Sequence, residues 1–416
     1  MNRQGLSGSE PADANARERM PLRAGARARP PLPALVGLGA SIAVPHVLLF
    51  SFNYPPHDGG VARLCAQLVV ELQRKGMRVR ALSQRRSGPG SCIPSVQEER
   101  VTMRRPWREL AALRKLRRTG PHSAVICGLW YPEGLLATLA GAGPRVILAH
   151  GLELRPTRAR WRRRLWRSLM QQVLRRAGVV VANSRYTAEL VRRSAPGAAV
   201  AGLPLGVDHR RFRPGNPQAA RLRLHLPEAK RVILTVSRIL RHKGHELVFR
   251  ALAALPEAAR ADFVYLIAGR GRDVSRLQHE AEALGLGRVV RWLGYVPEAD
   301  LPQLYQSANL FVLCTREDPD QPDVEGFGLA FLEAQACGIP VVGTRTGGIP
   351  DAVAEGRGGW LIDQDDPGAL AAILARLAAD PEEFRQMGQR ARQRVESECT
   401  WERYVDRLIE TIASRI

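Results

Sequence analysis

Long hydrophobic runs are missing from this sequence. The nearest approach, between Leu32 and Phe50, is interrupted by two prolines, two glycines and a histidine. A helix needs about 20 consecutive apolar residues to cross a bilayer, so no transmembrane helix is expected. Arginine-rich residues before this run leave a signal peptide as an alternative, but Val47 to Phe50 is the better fit to a core strand.

Cysteine is scarce and dispersed. The six cysteines stand at positions 65, 92, 127, 314, 337 and 399, without a Cys-x-x-Cys pair or a Cys/His cluster. Such spacing argues against a zinc-finger framework. Most of these cysteines are expected to be small buried hydrophobic residues in a reducing compartment.

Acidic residues are outnumbered, with 40 Asp and Glu against 62 Lys and Arg, which gives a formal net charge of +22. This excess favours polyanionic partners, whether nucleotide phosphates, anionic lipid surfaces or nucleic acid, and charge alone does not choose among them. The apolar content of 45% is ample for burial. A chain of 416 residues suggests two domains of ordinary size.

The first 44 residues differ from the rest, since Arg, Pro, Ala and Gly dominate and no periodicity persists. They are predicted to be a disordered or mis-annotated N-terminal extension. A regular pattern then begins with a strand at Val47 to Phe50, a loop ending in Gly59-Gly60 and an amphipathic helix from Val61 to Lys75. With the strand at Val79 to Leu82, these segments predict a βαβ unit.

Short apolar runs recur along the remaining chain, with helical segments between them. They lie at residues 124–127, 146–149, 179–182, 232–236, 264–268, 289–292, 310–313 and 341–343. This alternation predicts an α/β protein with parallel sheets flanked by helices. Turn residues from Leu205 to Gly215 mark a boundary, which divides the chain into a first domain (45–207), a second domain (208–396) and a C-terminal helix (397–416).

Two carboxylates, Glu325 and Glu333, are the most informative feature of the chain. A Gly-Phe-Gly turn (326–328) follows the first, and an apolar helical stretch leads to the second. If a helix begins near Gly328, Glu325 lies in the loop before it and Glu333 about a turn and a half inside, so both face one ligand. The unpaired N–H groups at the helix start suit a phosphate or a sugar hydroxyl.

A loop with two cations, Arg238 and Lys243, follows the strand at 232–236. Ligands bind at the ends of strands in open α/β sheets, and two cations there could hold a diphosphate and stabilise a leaving group. Solvated surface charge is the alternative interpretation of these two residues.

Together these motifs resemble the retaining glycosyltransferases of family 4. The resemblance rests on Arg238 and Lys243, on Glu325 and Glu333, on Gly347-Gly-Ile-Pro-Asp351 and on a Gly-Val-Asp-x-x-x-Phe linker, and it covers residues 46 to 412. It implies the GT-B architecture, in which two Rossmann-like doubly wound domains face each other across a cleft. It also implies that the second domain holds most of a nucleotide-sugar donor.

The resemblance assigns expected roles to residues of the second domain. Arg238 and Lys243 would bind the donor diphosphate, Glu325 the hydroxyls of the transferred sugar and Glu333 the nucleotide ribose. The backbone of Phe327, Gly328 and Leu329 would complete the donor pocket. The loop around Gly294-Tyr-Val296 would recognise the base.

In the first domain, Gly59 and Gly60 open a helix at a strand end, where a phosphate could approach the backbone. This pair resembles the glycine loop of the family. His150 matches a histidine that contacts the donor sugar in the family, although a lone histidine at a strand end is also a common structural residue. The resemblance gives His150 no role as a general base, because attack on the same face as the leaving phosphate is the usual proposal for these enzymes.

Two Asp-x-Asp strings, at 318–320 and 363–365, resemble the metal-binding string of the other major glycosyltransferase fold. Such pairs are also common turn formers. Because the resemblance is to the fold that uses Arg and Lys instead, no metal and no other cofactor is expected.

Two further segments are predicted to be amphipathic helices. Residues Arg155 to Arg176 contain nine arginines with apolar residues on one face, a pattern that fits an anionic membrane surface or a helix packed on the first sheet. The stretch from Arg100 to Arg118, with Trp107, adds to this basic surface. Trp401 to Ile412 is amphipathic, and in the family the last helix crosses back to the first domain.

The segments from Tyr54 to Gly60 and from Asp323 to Gly328 most resemble the bacterial mannosyltransferases that glycosylate phosphatidylinositol lipids from GDP-mannose. The function that this resemblance implies is transfer of a hexose, with mannose from GDP-mannose favoured, to a lipid or glycan acceptor without a metal. The predicted location is the cytoplasm, either free or at the inner face of the cytoplasmic membrane. A UDP-sugar donor is the first alternative. A non-catalytic protein that binds anionic lipid or nucleic acid is the second, although no nucleic-acid-binding motif is present.

Overall fold

The computed structural model describes residues 46–55, 59–84, 97–102, 104–120, 122–154, 160–227, 229–318 and 323–415, with backbone only at 160–163. The predicted N-terminal extension lies outside the described residues. So do Cys92, Asp320 and three residues of the loop before Gly59.

Two parallel sheets organise the described chain. The first has seven strands in the order β3-β2-β1-β4-β5-β6-β7. Its strands are β1 His46–Phe50, β2 Arg78–Gln84, β3 Gln97–Val101, β4 Ala124–Cys127, β5 Arg145–Ala149, β6 Val179–Ala182 and β7 Val200–Gly202. Its helices are α1 Gly60–Arg74, α2 Trp107–Arg118, α3 Leu135–Ala140, α4 Arg160–Arg175 and α5 Arg185–Ser194. We call this sheet with its helices the first domain.

The second sheet has six strands in the order β10-β9-β8-β11-β12-β13. Its strands are β8 Arg231–Val236, β9 Phe263–Ala268, β10 Val290–Gly294, β11 Leu310–Leu313, β12 Val341–Thr344 and β13 Gly359–Ile362. Its helices are α6 Pro217–Arg223, α7 His245–Ala253, α8 Glu257–Arg260, α9 Val274–Ala283, α10 Leu301–Gln306, α11 Leu329–Ala336, α12 Ile349–Ala352, α13 Pro367–Ala379 and α14 Pro381–Glu398. This sheet with its helices is the second domain.

The central strands follow from their sequences. β4, β6, β9 and β11 are buried along their whole length, as expected for apolar runs in a parallel sheet covered on both faces. In each sheet, the strand order changes direction next to the strand that comes first in the chain. β2 and β4 lie on opposite sides of β1, and β9 and β11 lie on opposite sides of β8. In such sheets, ligands bind at the carboxyl ends of the strands at this point. The predicted pair of parallel-sheet, Rossmann-like domains is confirmed.

Three strands, β3, β7 and β13, escaped prediction. β3 reads Gln-Glu-Glu-Arg-Val and is mostly half-buried, and β7 has only three residues. All three lie at the edge of a sheet, where one side of the strand is unpaired and an apolar run is not required.

The last helix, α15 Trp401–Arg415, packs on α1 of the first domain. Lys75, the residue that follows α1, and Asp406 of α15 form an ion pair. Trp401, Tyr404, Val405 and Leu408 of α15 are buried. Where the chain enters this helix, Val207 of the interdomain linker pairs with Thr400. The two passages of the chain between the domains therefore run side by side.

The five described cysteines are all free and buried, as predicted from their spacing. Among the described residues, no helix has the length and apolar character that crossing a membrane requires.

Candidate functional site

The loop before α11 carries Glu325. Gly328 caps the helix with φ 89°, a conformation that favours glycine. Glu325 thus precedes the helix and Glu333 is its fifth residue, so the predicted placement of both carboxylates in one loop–helix unit is what the structure shows. The side chain of Glu325 is largely buried.

Lys243 meets Glu325 at the end of the second sheet. The Lys243 Nζ lies 2.5 Å from Glu325 Oε2. Gly244 follows with φ 70°, and a Cβ there would collide with the carbonyl oxygen of Cys314, so the chain turns tightly against β11 and carries Lys243 inward. Burial raises the pKa of Glu325, but the charges of Lys243 and Arg238 bring it below its ordinary value. Arg238 itself is exposed.

Two glycines of the Gly-Gly-Ile-Pro-Asp motif support the Glu325 loop from below. The Gly348 N–H donates to the carbonyl oxygen of Glu325 at 2.8 Å. A Cβ on Gly348 would collide with the carbonyl oxygen of Gly326, and one on Gly347 with that of Glu325. The motif therefore holds the loop by close backbone packing.

Two histidines adjoin the cationic loop. His242 Nδ1 lies 3.7 Å from Asp323, and burial together with Lys243 lowers the pKa of His242 to about 4. His245 is buried between Ser237 and Tyr265, at 3.4 and 3.1 Å. Burial lowers the pKa of His245 to about 4 as well. Both imidazoles are neutral at pH 7.

Glu333 is bound from two sides. Tyr305 donates to Glu333 Oε2 at 2.7 Å, and Arg63 of the first domain lies 3.1 Å from Oε1. Arg63 also pairs with Glu298 at 2.6 Å. Arg211 lies 3.6 Å from the Glu298 carboxylate. Burial raises the pKa of Glu333, and the charge of Arg63 opposes that shift.

The first domain brings its glycine loop to the same place. A Cβ on Gly60 would lie 3.9 Å from Leu329 Cδ1, at the start of α11. Gly59, with φ 134°, caps α1. The N-termini of α1 and α11 thus approach each other across the cleft, and each helix start favours negative charge.

His150 follows β5 on the first-domain side. Its Nε2 lies 2.9 Å from the Gly128 carbonyl oxygen, which only accepts, so Nε2 carries a proton. A Cβ on Gly326 would collide with the carbonyl oxygen of His150, so this turn abuts the Glu325 loop. The structure therefore brings His150 next to the loop that holds Glu325.

Two other predicted residues belong to or pack against the apolar core. Phe327 is buried in the core beneath the loop. Val296 follows β10 and is half-buried against the main core. Its neighbour Tyr295 is exposed, and the Arg270 guanidinium lies 5.0 Å from the centre of the Tyr295 ring.

Several interdomain contacts escaped prediction. Arg185 donates to Asp351 from its backbone N–H at 2.6 Å and from Nε at 2.5 Å. Tyr186 donates to Glu317. The sequence did contain a sign that Arg63 lies at the site, because Arg63 stands three residues after Gly60 and therefore on the same face of α1. Its partner in another domain could not be read from the sequence.

Both aspartates of the Asp-x-Asp string at 363–365 form ion pairs with arginines. Asp365 lies 3.0 Å from Arg316 and 3.7 Å from Arg250, and Asp363 lies 3.7 Å from Arg345. Among the described residues, no three His, Cys, Asp or Glu side chains are grouped as metal ligands are. The string at 318–320 lies partly outside the described residues.

Two family models match the chain, one over each domain. Residues 58–211 match the family described as Glycosyltransferase Family 4, and residues 218–394 match Glycosyl transferases group 1. Among curated relatives, a GDP-mannose-dependent alpha-(1-6)-phosphatidylinositol monomannoside mannosyltransferase of Mycolicibacterium smegmatis is 32% identical over 389 residues, which are 89% of this chain and 98% of the relative. A GDP-mannose-dependent monoacylated alpha-(1-6)-phosphatidylinositol monomannoside mannosyltransferase of Corynebacterium glutamicum is 32% identical over 67% of this chain and 72% of the relative.

Among solved structures, the sucrose-phosphate synthase of Thermosynechococcus elongatus superposes with a TM-score of 0.74 at 21% identity. The match covers 89% of this chain and 98% of that one. At this identity the likeness concerns the fold.

Proposed function

The chain belongs to glycosyltransferase family 4 and has the GT-B fold, and from this premise we propose that it is a retaining hexosyltransferase that uses GDP-mannose as donor and a lipid or glycan as acceptor. The likeness over 98% of a relative named as GDP-mannose-dependent supports mannose as the sugar and guanine as the base.

The observation that carries this proposal is the group of charges at the carboxyl edge of the second sheet. Lys243 and Arg238 supply two cations beside Glu325, and the start of α11 adjoins Glu325 and approaches the start of α1. Cations and helix N-termini bind a diphosphate, and a carboxylate accepts hydrogen bonds from sugar hydroxyls. This combination fits a nucleotide diphosphate sugar.

In the proposed reaction, the bond from the anomeric carbon to the diphosphate oxygen breaks, and the acceptor hydroxyl forms the new bond on the same face of the sugar. The acceptor proton passes to the departing phosphate oxygen. Arg238 and Lys243 stabilise the charge that develops there, while Glu325, Glu333 and His150 hold the sugar and the ribose in place. The protein supplies position and electrostatics.

The proposal is tested by single-turnover release of nucleotide and sugar from GDP-mannose, UDP-glucose, UDP-GlcNAc and UDP-galactose. Slow hydrolysis of GDP-mannose is expected, and it should be lost in Glu325→Ala and Arg238→Ala. Glu355→Ala and Arg272→Ala, which change exposed residues of the second domain, are the matched controls and should keep wild-type rates.

If a UDP-sugar is hydrolysed and GDP-mannose is not, the proposed donor is wrong, but the proposal that the protein is a glycosyltransferase still holds. If no donor is hydrolysed or raises the melting temperature, sugar transfer itself fails, and the basic surface becomes the subject of lipid and nucleic-acid binding tests.

Metal independence is a further part of the proposal. The carboxylates of Asp363 and Asp365 already pair with arginines, and Arg238 and Lys243 would neutralise the diphosphate in place of a metal. Turnover is expected to be unchanged by EDTA and not to rise when Mg²⁺ or Mn²⁺ is added to the chelated protein. Loss on chelation, with recovery by one of these ions, would contradict this.

We also propose that the protein contacts an anionic membrane at its inner face, which would bring a lipid acceptor to the cleft. In the predicted basic helix, part of the apolar face is buried in the first domain, although Leu165 is exposed. On α4, Met170, Val173 and Leu174 are buried, and the Trp166 ring packs 4.4 Å from that of Tyr131. Residues 155–159 of the predicted segment lie outside the described residues.

The helix α2 offers the better surface. Trp107 is 63% exposed, and a groove of about 490 Å³ beside it is lined by Leu110 and by basic residues that include Arg114 and Arg118. An exposed tryptophan among cations is suited to the boundary between headgroups and acyl chains.

Vesicle co-sedimentation tests this contact with phosphatidylcholine vesicles, with or without phosphatidylglycerol. Each cation near an anionic surface contributes about 1 kcal/mol, so Arg114→Gln/Arg118→Gln should weaken binding to anionic vesicles roughly tenfold or more. Arg192→Gln/Arg193→Gln on α5, which removes two exposed charges elsewhere, should have little effect. Equal losses in both variants, or preferential binding of RNA, would contradict a contact through α2.

A further inference from the structure

Arg63 reaches the second domain from the first turn of α1. Its guanidinium bridges two carboxylates of that domain, Glu333 at 3.1 Å and Glu298 at 2.6 Å. Both acids belong to elements of the second domain, since Glu333 lies in α11 and Glu298 precedes α10. Arg63 is therefore a direct link between the glycine-loop helix and the carboxylate expected to bind ribose.

With Arg63 in place, Glu333 is closed to a ligand. Its side chain is only 7% exposed, and Tyr305 takes its other oxygen. A ribose presents two neighbouring hydroxyls, which bind a carboxylate best through both of its oxygens. The space next to Glu333 Oε1 is filled by the guanidinium of Arg63.

Glu333 also needs a partner when no ligand is bound. A buried carboxylate without a compensating charge or hydrogen bond is costly, and Tyr305 alone supplies one neutral donor. Arg63 provides the missing charge, and Glu298 holds the guanidinium in position through Nε.

Building on the donor site proposed above, we infer that Arg63 occupies the ribose position at Glu333 in the donor-free protein and that the nucleotide must displace it. Arg63 is thereby a specificity-determining residue of the donor site, contributed by the first domain. Because Arg63 must be displaced, the apparent affinity for a ribonucleotide is the intrinsic affinity multiplied by the fraction of molecules in which Glu333 is free. A nucleotide without ribose hydroxyls gains nothing from displacing it.

Calorimetric titration of the full chain with GDP, UDP and their 2′,3′-dideoxy counterparts tests this inference. The variants are Arg63→Gln, Glu333→Gln and the two combined. Arg63→Gln should bind the preferred ribonucleotide about fivefold more tightly than the wild type, a gain typical of a partly exposed ion pair. Neither the dideoxy nucleotide nor the Glu333→Gln background should show that gain.

Two further variants sharpen the result. Glu298→Gln removes only the second anchor of Arg63, so its gain should have the same sign and be smaller. Arg185→Gln removes another interdomain ion pair, with Asp351, and leaves Glu333 untouched. Its nucleotide affinity should stay within about twofold of the wild type.

Weaker binding of ribo- and dideoxynucleotides alike by Arg63→Gln would overturn the inference, because Arg63 would then be a phosphate ligand. Unchanged affinity in Arg63→Gln would also overturn it. If the wild type binds neither GDP nor UDP, the donor site itself is wrong, and this outcome is distinct from wild-type binding that Arg63→Gln fails to tighten.

Discussion

Lys243 and Glu325 form the central ion pair of the site, and each carries a charge that the protein interior would otherwise disfavour. Removing one partner of a buried pair costs more than replacing both by apolar residues. We therefore expect Lys243→Met to lower the free energy of unfolding by about 3 kcal/mol at pH 7. Urea denaturation followed by circular dichroism measures this loss.

The matched control is Lys243→Met/Glu325→Leu, which should recover most of the stability while remaining inactive. The acid side supplies a second check. Since the pKa of Glu325 is below its ordinary 4.5, its ionised form stabilises the fold above that pH, and the contribution is lost as pH falls through the folded value. Without Lys243, burial raises the pKa of Glu325, so the difference in stability between Lys243→Met and wild type should shrink as pH is lowered from 7 to below 4.5. A constant difference would contradict the pairing.

His245 illustrates how a neighbouring buried residue responds to pH. Its pKa falls from 6.5 to about 4 on burial, so the unfolded chain binds the proton more readily between these values. Stability is complete above about pH 6.5 and falls as pH drops toward 4. From this shift we expect His245 to account for a loss of about 2 kcal/mol between pH 7.5 and 5.

Urea titrations at several pH values in His245→Gln test this expectation. The variant should show a shallower decline than the wild type over that range. His279→Gln, which changes an exposed histidine on α9, should keep the wild-type slope. Equal slopes in all three proteins would remove His245 as the cause.

At the scale of elements, the site depends on two loops packed backbone to backbone. A side chain on Gly348 would collide with the carbonyl oxygen of Gly326 and lie 2.8 Å from Ser184 Oγ. Gly348→Ala should therefore cost about 2–3 kcal/mol of stability and lower donor hydrolysis roughly tenfold or more by shifting the Glu325 loop.

Thermal unfolding and single-turnover hydrolysis measure the two effects. Gly287→Ala is the control, because a Cβ there would meet open space and its φ is not in the left-handed region. If Gly348→Ala retained wild-type hydrolysis, the close packing of the two loops would not be needed to position Glu325.

The parts of the site that can be predicted from the sequence are those whose residues lie close together in one short segment. Glu325, the cap at Gly328 and Glu333 lie in one loop and helix, so spacing alone placed them correctly. The same holds for Lys243, which lies in the loop after β8. The pairing of Arg63 with Glu333 could not be foreseen, because it joins residues 270 positions apart whose proximity depends on how the domains dock.

The same limit explains the fold. Buried central strands such as β6 and β9 can be recognised in the sequence because they are continuous apolar runs. Edge strands do not, since β3 is charged and β7 is short. The basic segment around α4 was ambiguous for another reason, because an apolar stripe looks alike whether it covers a sheet or faces a membrane.

At the scale of the whole molecule, α15 joins the end of the chain to the first domain. Leu408 is buried against it, and a leucine cut to alanine in such a position costs about 3 kcal/mol. Leu408→Ala should thus destabilise the protein by that amount and increase hydrogen exchange in α1 more than in α11. Glu410→Ala, one exposed residue on the same helix, should change neither, and a loss of protection confined to the second domain would contradict the expected coupling.

The packing of α15 on α1 also has a consequence for synthesis. A ribosome makes the first domain before the second, yet α1 packs against residues 401–415, which follow the second domain in the chain. Until the second domain has been made, the face of α1 that contacts α15 lacks this partner. The first domain to be translated is therefore among the last parts of the protein to be finished.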